Sequence, residues 1–274
     1  MLRSMYSGIT GMKNFQTKLD VIGNNIANVD TYGFKKGRVT FKDAISQMTA
    51  GASAATTTKG GTNPLQVGLG STVASIDTID TQASMQNTGR GLDLAINGDG
   101  YFTVSDGAGG KLYTRAGNFY LDNQGTIVTS DGYKVLGIDG NPITIDPSTT
   151  QSYSINATGQ VTAVQNGTAT VVGTIGLTKF ANPSGLNKVG GNLFQQSANS
   201  GTPNAGSTLP ANQSLEVAGS GGTGSIASGF LEMSNVDLSE EFTDMIVAER
   251  GFQANSRIIT TSDEVLQELL NLKH

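Results

Sequence analysis

SNVDLSEEFTDMIVAERGFQANSRIITTSDEVLQELLNLK, residues 234–273, decides the architecture. Met245, Ala248, Phe252, Asn255, Ile259, Ser262, Leu266 and Leu269 recur at alternating steps of three and four, the period of a helical stripe. Asp237 or Ser239 can cap the start. Glu240 and Glu241 fall in the first turn, where the helix dipole favours acids. No proline follows Pro210, so the pattern predicts a helix from about 237 to 272, ~50 Å long at the rise of an α-helix. Asn255 and Ser262 lie inside the stripe, and small or polar seam residues select a partner more than they maximise stability.

The opposite end carries a weaker version of the same pattern. Leu2, Met5, Ile9, Met12, Leu19 and Ile26 follow the 3-4 spacing, interrupted at Gln16 and Gly23. Gly8, Gly11 and Gly23 each cost such a helix about 1 kcal/mol against Ala. This helix is marginal alone and needs a partner to bury its stripe.

Between the ends the composition changes. Of 37 glycines, 31 lie outside residues 1–43 and 232–274. Residues 44–72, with the patternless run TAGASAATTTKGGTNP, read as a linker that is flexible or folds only against neighbours. Short apolar or alternating runs follow at 92–96, 101–105, 112–122, 126–129, 133–137 and 143–145. Turn pairs such as Asn97-Gly98, Asp131-Gly132 and Asp139-Gly140 separate them and supply the positive-φ positions of tight hairpins. Further strands are expected at 151–155, 160–164, 169–180 and 192–196, and residues 197–229 as a surface return to the last helix. The fold class is α+β: long N- and C-terminal helices pair as a coiled-coil-like inner domain around an inserted, mainly β outer domain. The expected boundaries are 1–30 for the N-terminal helix, 31–72 for the intermediate segment, 73–232 for the β domain and 233–274 for the C-terminal helix.

Composition excludes most chemistry. The chain has no Cys, no Trp and a single His, His274. Thiol nucleophiles, Cys-based metal sites and disulfides are ruled out, and a lone terminal imidazole is a poor acid–base catalyst. Residues 1–43 carry seven Lys/Arg against three Asp, and residues 232–274 nine acids against three bases. Opposite charge at the two ends suggests that they lie near each other. A net charge of -5 argues against nucleic-acid binding. The N-terminus lacks the apolar core and cleavage site of a secretory signal, and no run is long and apolar enough to span a bilayer.

Four local patterns resemble sites of chemistry. GSGGTG (219–224) fits G-x-G-x-x-G in letter, but a dinucleotide site needs a strand before it and a helix opening on it. Around Gly110-Lys111, Ser105 and Leu112 stand where a P-loop requires Gly and Ser or Thr. Asn97-Gly98-Asp99-Gly100 starts like a calcium loop but puts Phe102 and Ala108 where Gly and Glu belong, so a hairpin turn is expected. Asp93, Asp99, Asp122 and Asp131 could pair as catalytic carboxylates only if two lay ~5–9 Å apart, and all but Asp93 sit in turns that favour Asp for backbone reasons. The reading is therefore no enzyme, no cofactor and no metal.

LDVIGNNIANVDTYGFKK (19–36) resembles the N-terminal signature of the flagellar hook and rod protein family, carried by Asn24, Asn25, Ala27, Asn28, Thr31, Gly33, Phe34 and Lys35. Residues 234–273 resemble the family's C-terminal signature through Asn235, Val236, Asp237, Met245, Ala248, Arg250, Gln253 and Asn255. LDLAINGDGYF and YTRAGNFYLDNQGTIVTSDGY look like its central β domain. The wording is similar to that of a short hook protein, with the distal rod protein as runner-up. The resemblance implies a structural subunit of the bacterial flagellum, extracellular, exported unfolded without a cleaved signal by the flagellar export apparatus. It implies a helical homopolymer adjoining rod, hook-cap and hook–filament junction proteins. The terminal helices would order on assembly, with Leu2, Met5, Ile9, Met12, Leu19, Ile26, Met245, Ala248, Phe252, Asn255, Ile259, Leu266 and Leu269 as the inter-subunit seam. A different class, a secreted β-rich carbohydrate-binding module, would need an exposed aromatic platform, whereas the Tyr and Phe residues fall in strand-like runs.

Overall fold

The structure, a computed structural model, describes residues 2–107, 109–165, 167–204 and 215–272. The fold is α+β and divides into two compact units: residues 1–27, 37–78 and 237–274, and residues 28–36 with 79–236.

The first unit contains α1 (Leu2–Ala27), β1 (Gly37–Asp43), β2 (Ser46–Ala50), β3 (Leu65–Gly68), β4 (Ser71–Thr78) and α2 (Leu238–Asn271). Asp237 caps α2, its carboxylate accepting from the Ser239 and Glu240 backbone amides. α1 and α2 pack together. β1 and β4 pair antiparallel from Gly37 opposite Thr78 to Asp43 opposite Ser71. β2 and β3 form a second antiparallel ribbon, Ser46 opposite Gly68 and Ala50 opposite Leu65, with every residue exposed. The stretch read as a linker thus holds strands. Their ladder is made by backbone groups, and the small polar side chains at 49–63 carry no alternation to announce it. Residues 73–78, expected at the start of the β domain, pair instead with β1.

The second unit is almost entirely β. Its strands are β5 (Met85–Asn87), β6 (Leu94–Asn97), β7 (Tyr101–Ser105), β8 (Lys111–Thr114), β9 (Tyr120–Leu121), β10 (Ile127–Val128), β11 (Lys134–Val135), β12 (Thr150–Ile155), β13 (Gln160–Gln165), β14 (Thr168–Thr174), β15 (Gly176–Thr178), β16 (Asn187–Gly190), β17 (Leu193–Gln195), β18 (Glu216–Val217), β19 (Ser225–Ser228) and β20 (Phe230–Glu232). The main sheet runs β16-β17-β8-β7-β11-β10-β9, with β15 pairing β7 and β18. β12, β13 and β14 form a three-stranded sheet, and β6 with β19 and β5 with β20 make two-stranded ones. Leu94, Ile96, Phe102, Val104, Phe119, Ile127, Val135, Ile175 and Leu177 fill one core. Tyr101, Tyr113, Phe180, Leu186 and Phe194 make a second, built from edge-to-face ring contacts.

Several strand expectations need correction. The run 112–122 breaks into β8 and β9 because a side chain at Gly117 would overlap the Leu94 carbonyl, so the backbone crosses there instead of pairing. Residues 143–145 bury Ile143 and Ile145 but contribute a single isolated bridge, Thr144 opposite Thr126, with another just before them at Pro142. Residues 197–229 are not a mere surface return. Leu215, Ala218 and Ile226 are buried, and β18 and β19 add ladders at 216–217 and 225–228. GSGGTG turns the chain between those strands and no helix opens on it, which removes the nucleotide reading.

Candidate functional site

The α1–α2 seam is made by small residues on one helix meeting large ones on the other. A side chain added at Gly11 would lie 2.8 Å from Asn255 Nδ2, and one at Gly8 would touch the Asn255 carbonyl and Ile259 at 3.4 Å. Farther along, Gly251 of α2 faces the Phe15 ring, 2.6 Å from where its Cβ would be. Lys18 pairs with Asp244 at 3.4 Å. Asn255 is tied into its own helix, its amide donating to the Gly251 carbonyl at 3.0 Å. The contact line on α1 therefore passes through Gly8, Gly11, Phe15 and Lys18, beside the stripe picked from its apolar residues. Hydrophobic periodicity does not register a glycine, yet glycine is what lets two helix backbones approach.

Of the stripe residues on α1, Met5, Met12, Leu19 and Ile26 are half-buried and Ile9 is 46% exposed, while the Leu2 side chain lies outside the described residues. On α2, Ala248 is fully buried and Met245, Phe252, Asn255, Ile259 and Leu266 are half-buried, whereas Leu269 is 50% exposed.

Asn25 closes this unit. Its side-chain amide donates to the Gly37 carbonyl at 2.9 Å and to Glu241 Oε2 at 3.1 Å, and its Oδ1 accepts from the Gly37 amide at 2.9 Å. Asn25 and Glu241 are both buried. A carboxamide suits the position because it supplies two N–H donors and an acceptor oxygen on one rigid planar group. Asn24, Ala27, Arg250 and Gln253, from the same two signatures, are exposed.

In the second unit the signature residue Lys35 sits in a buried charge cluster, with Gly33 and Asn235 beside it. Lys35 Nζ donates to Glu232 Oε1 and to the Thr81 carbonyl, both at 2.7 Å. Arg115 Nη1 donates to Glu232 Oε2 at 3.1 Å and its Nη2 to the Gly98 carbonyl at 2.8 Å. Asp80 accepts from the Tyr101 hydroxyl at 2.7 Å. Burial holds the Lys35 ammonium below its usual pKa, against the pull of Glu232. Burial, and then the Asp80 carboxylate, push the Tyr101 phenol up. Gly33 takes φ +68°, and a Cβ there would lie 2.6 Å from the Ala116 nitrogen and the Arg115 carbonyl carbon. The signature needs glycine at that point for both reasons.

Asn235 stitches the segments around the cluster. It accepts from the Lys36 amide at 2.7 Å and donates to the Ile79 carbonyl at 2.8 Å and to Thr81 Oγ1 at 3.1 Å. Thr31 Oγ1 donates to Asn28 Oδ1 at 3.2 Å within the turn after α1. Phe34, buried, carries the Lys188 ammonium 4.9 Å from its ring centroid. These residues bind one another and backbone carbonyls, so the paired charges hold the segments of this unit together. Asp93 is bound to Arg90 at 3.1 Å and to Thr88, which absorbs the one candidate carboxylate outside a turn.

Exposed apolar side chains gather in the first unit. Tyr6, Ile45, Met48, Leu65, Ile76, Phe242, Ile246, Val247 and Leu270 are each more than half exposed or close to it, whereas among the described residues of the second unit the large exposed hydrophobics are Tyr120, Leu121, Val171 and Val189. No helix among the described residues is long and apolar enough to cross a membrane.

Comparison with known proteins gives the same two ends and middle. A family model described as flagella basal body rod protein matches residues 5–35, one described as flagellar hook protein FlgE/F/G D1 domain matches 95–163, and one described as flagellar basal body rod FlgEFG protein C-terminal matches 227–272. The flagellar basal-body rod protein FlgG of Bacillus subtilis (strain 168) is 62% identical over 274 residues, covering 100% of both chains. The chain belongs to the flagellar hook and basal-body rod protein family. FlgG of Borreliella burgdorferi is 38% identical over 282 residues, covering 100% of this chain and 99% of its own. The hook protein FlgE of the same organism is 31% identical over an alignment of 453 residues, covering 100% of each chain. As a member of this family the chain is a structural subunit of the hook and rod class of flagellar proteins and not an enzyme.

Proposed function

We propose that the chain is the distal rod subunit of the basal body, a building block of a stiff tube that carries torque outward. The observation that carries this reading is the end-to-end alignment with a basal-body rod protein at 62% identity, against 31% for a hook protein. The hook assignment suggested by the wording of the signatures gives way to its alternative. Hook-cap and hook–filament junction partners belonged to that assignment. With a rod address the axial neighbours are other rod subunits and hook protein, and delivery falls to the flagellar export apparatus.

Polymerisation is supported by where the unit with the terminal helices leaves apolar surface. Phe242, Ile246 and Val247 of α2, with Ile9 and Leu269 of the expected seam, would lie in water in a lone chain, and copies packed side by side would cover them. The exposed β2–β3 ribbon is an arm of the same kind, since an isolated two-stranded ribbon is marginal until it packs against something.

Complementation tests the address. Expressed in a strain lacking its distal rod protein, the chain should restore swimming and appear in purified basal bodies. In a strain lacking hook protein it should not restore a hook. The reverse outcome would overturn the rod reading.

A further inference from the structure

We propose that Asn97-Gly98 is a latent self-modification site which the Gln82 carboxamide holds closed. An asparagine followed by glycine has an unhindered backbone nitrogen next to its side-chain amide. That nitrogen can attack the asparagine Cγ: a C–N bond forms, the side-chain nitrogen leaves as ammonia with the proton shed by the backbone amide, and a five-membered succinimide remains. Water then opens the ring at either carbonyl, leaving aspartate or isoaspartate.

Two freedoms are needed, and the structure withholds both. The attacking nitrogen must give up its proton, yet the Gly98 N–H donates to Gln82 Oε1 at 3.0 Å. The side chain must swing its Cγ over that nitrogen, yet Asn97 Oδ1 is held by Gln82 Nε2 at 3.3 Å. One carboxamide thus grips nucleophile and electrophile together. The main chain is clamped as well: Asn97 pairs opposite Ser225, and the Gly98 carbonyl accepts from Arg115 Nη2 at 2.8 Å. Asn97 is itself exposed, so water reaches the ring once it closes.

The consequence of failure follows from the same contacts. Isoaspartate adds a carbon to the backbone between the Ile96 and Gly98 carbonyls, the two acceptors that seat the Arg115 guanidinium. Arg115 then loses its position against Glu232, and the buried charge cluster opens. Gln82, an exposed polar residue with no place in either core, thereby protects the centre of the β unit.

The test uses the full chain, folded, aged in neutral buffer and read by peptide mapping with an isoaspartate assay. Wild type is compared with Gln82→Ala and with Gln82→Met, which keeps the bulk but neither hydrogen bond. Asn166-Gly167, the second Asn-Gly pair in the sequence, is the internal reference in each map. Conversion at Asn97 should rise roughly fivefold to tenfold in both variants, the factor expected when the Gly98 amide loses the hydrogen bond that occupies its proton, with conversion at Asn166 unchanged. In wild type, Asn97 should also convert more slowly folded than in denaturant. The proposal is overturned if either folded variant converts Asn97 at the wild-type rate, or if wild-type Asn97 ages equally fast folded and unfolded.

Discussion

The Asn25 side-chain amide donates to Glu241 Oε2 at 3.1 Å across 216 residues of sequence, joining the end of α1 to the first turn of α2. With the two bonds to Gly37 it satisfies a buried carboxamide completely on the donor side. Asn25→Leu removes all three bonds and strands the Glu241 carboxylate. The expected cost is about 2–4 kcal/mol, enough to unpair the helices. Far-UV circular dichroism through a urea titration measures it, and a motility assay should report failed assembly.

Two glycines of the N-terminal region have opposite prognoses. Nothing lies within 4 Å of a Cβ added at Gly23, so Gly23→Ala should stabilise α1 by about 1 kcal/mol through helix propensity. At Gly33 the φ of +68° and the Arg115–Ala116 backbone leave no room. Gly33→Ala should destabilise by at least ~2 kcal/mol, read as a fall in thermal midpoint. Equal effects would refute this account of the seam and turn.

Glu232 faces two cations, Lys35 at 2.7 Å and Arg115 at 3.1 Å, with all three almost fully buried. Glu232→Gln leaves those cations facing Asp80, 3.8 Å from Lys35, in place of a bonded carboxylate. A loss of about 3–5 kcal/mol is expected on breaking a buried pair from one side. Chemical denaturation followed by tyrosine fluorescence would detect it; a loss below ~1 kcal/mol would mean the cluster is hydrated and weak.

Alkaline pH should loosen the β unit. Tyr101 keeps its proton in the folded state beyond the ordinary phenol value of 10.0, while the unfolded chain releases it there. Its contribution is therefore whole below about pH 10 and is lost as pH rises further. Lys35 acts oppositely: with its pKa held below 10.5, its contribution grows as pH climbs toward that value. Tyr101→Phe isolates the first effect. Urea midpoints taken across the alkaline range should fall less steeply in the variant, by up to ~1.4 kcal/mol per pH unit for one proton.

The ribbon offers a mechanical prediction. Residues 50–62 begin at Ala50, the last residue of β2, which pairs with Leu65 of β3, and run through most of the loop that joins the two strands; Met48 and Leu65 beside it are 59% and 64% exposed. Deleting them should leave each unit folded and change the bending stiffness of the assembled tube. Electron microscopy of isolated basal bodies and swimming assays would show it, and unchanged stiffness would remove the ribbon from the mechanism.

The periodicity of 245–269 was enough to draw α2 from the Asp237 cap to its end, because cap chemistry and a 3.6-residue repeat are local properties. The turn pairs behaved the same way: Gly98, Gly100, Gly107, Gly125, Gly132 and Gly140 all take positive φ, as their positions beside Asn, Asp or Gln required. Signature residues could be identified by resemblance, but their physical roles could not. That Asn25 reaches Glu241, that Lys35 meets Glu232, and that Gly8 and Gly11 open the helix seam depend on partners far away in sequence. Backbone-paired strands such as β2 and β3, which bury nothing, were equally silent. Local pattern encodes what a segment becomes; only tertiary contact, where burial and partner geometry are set, decides which of its side chains matter.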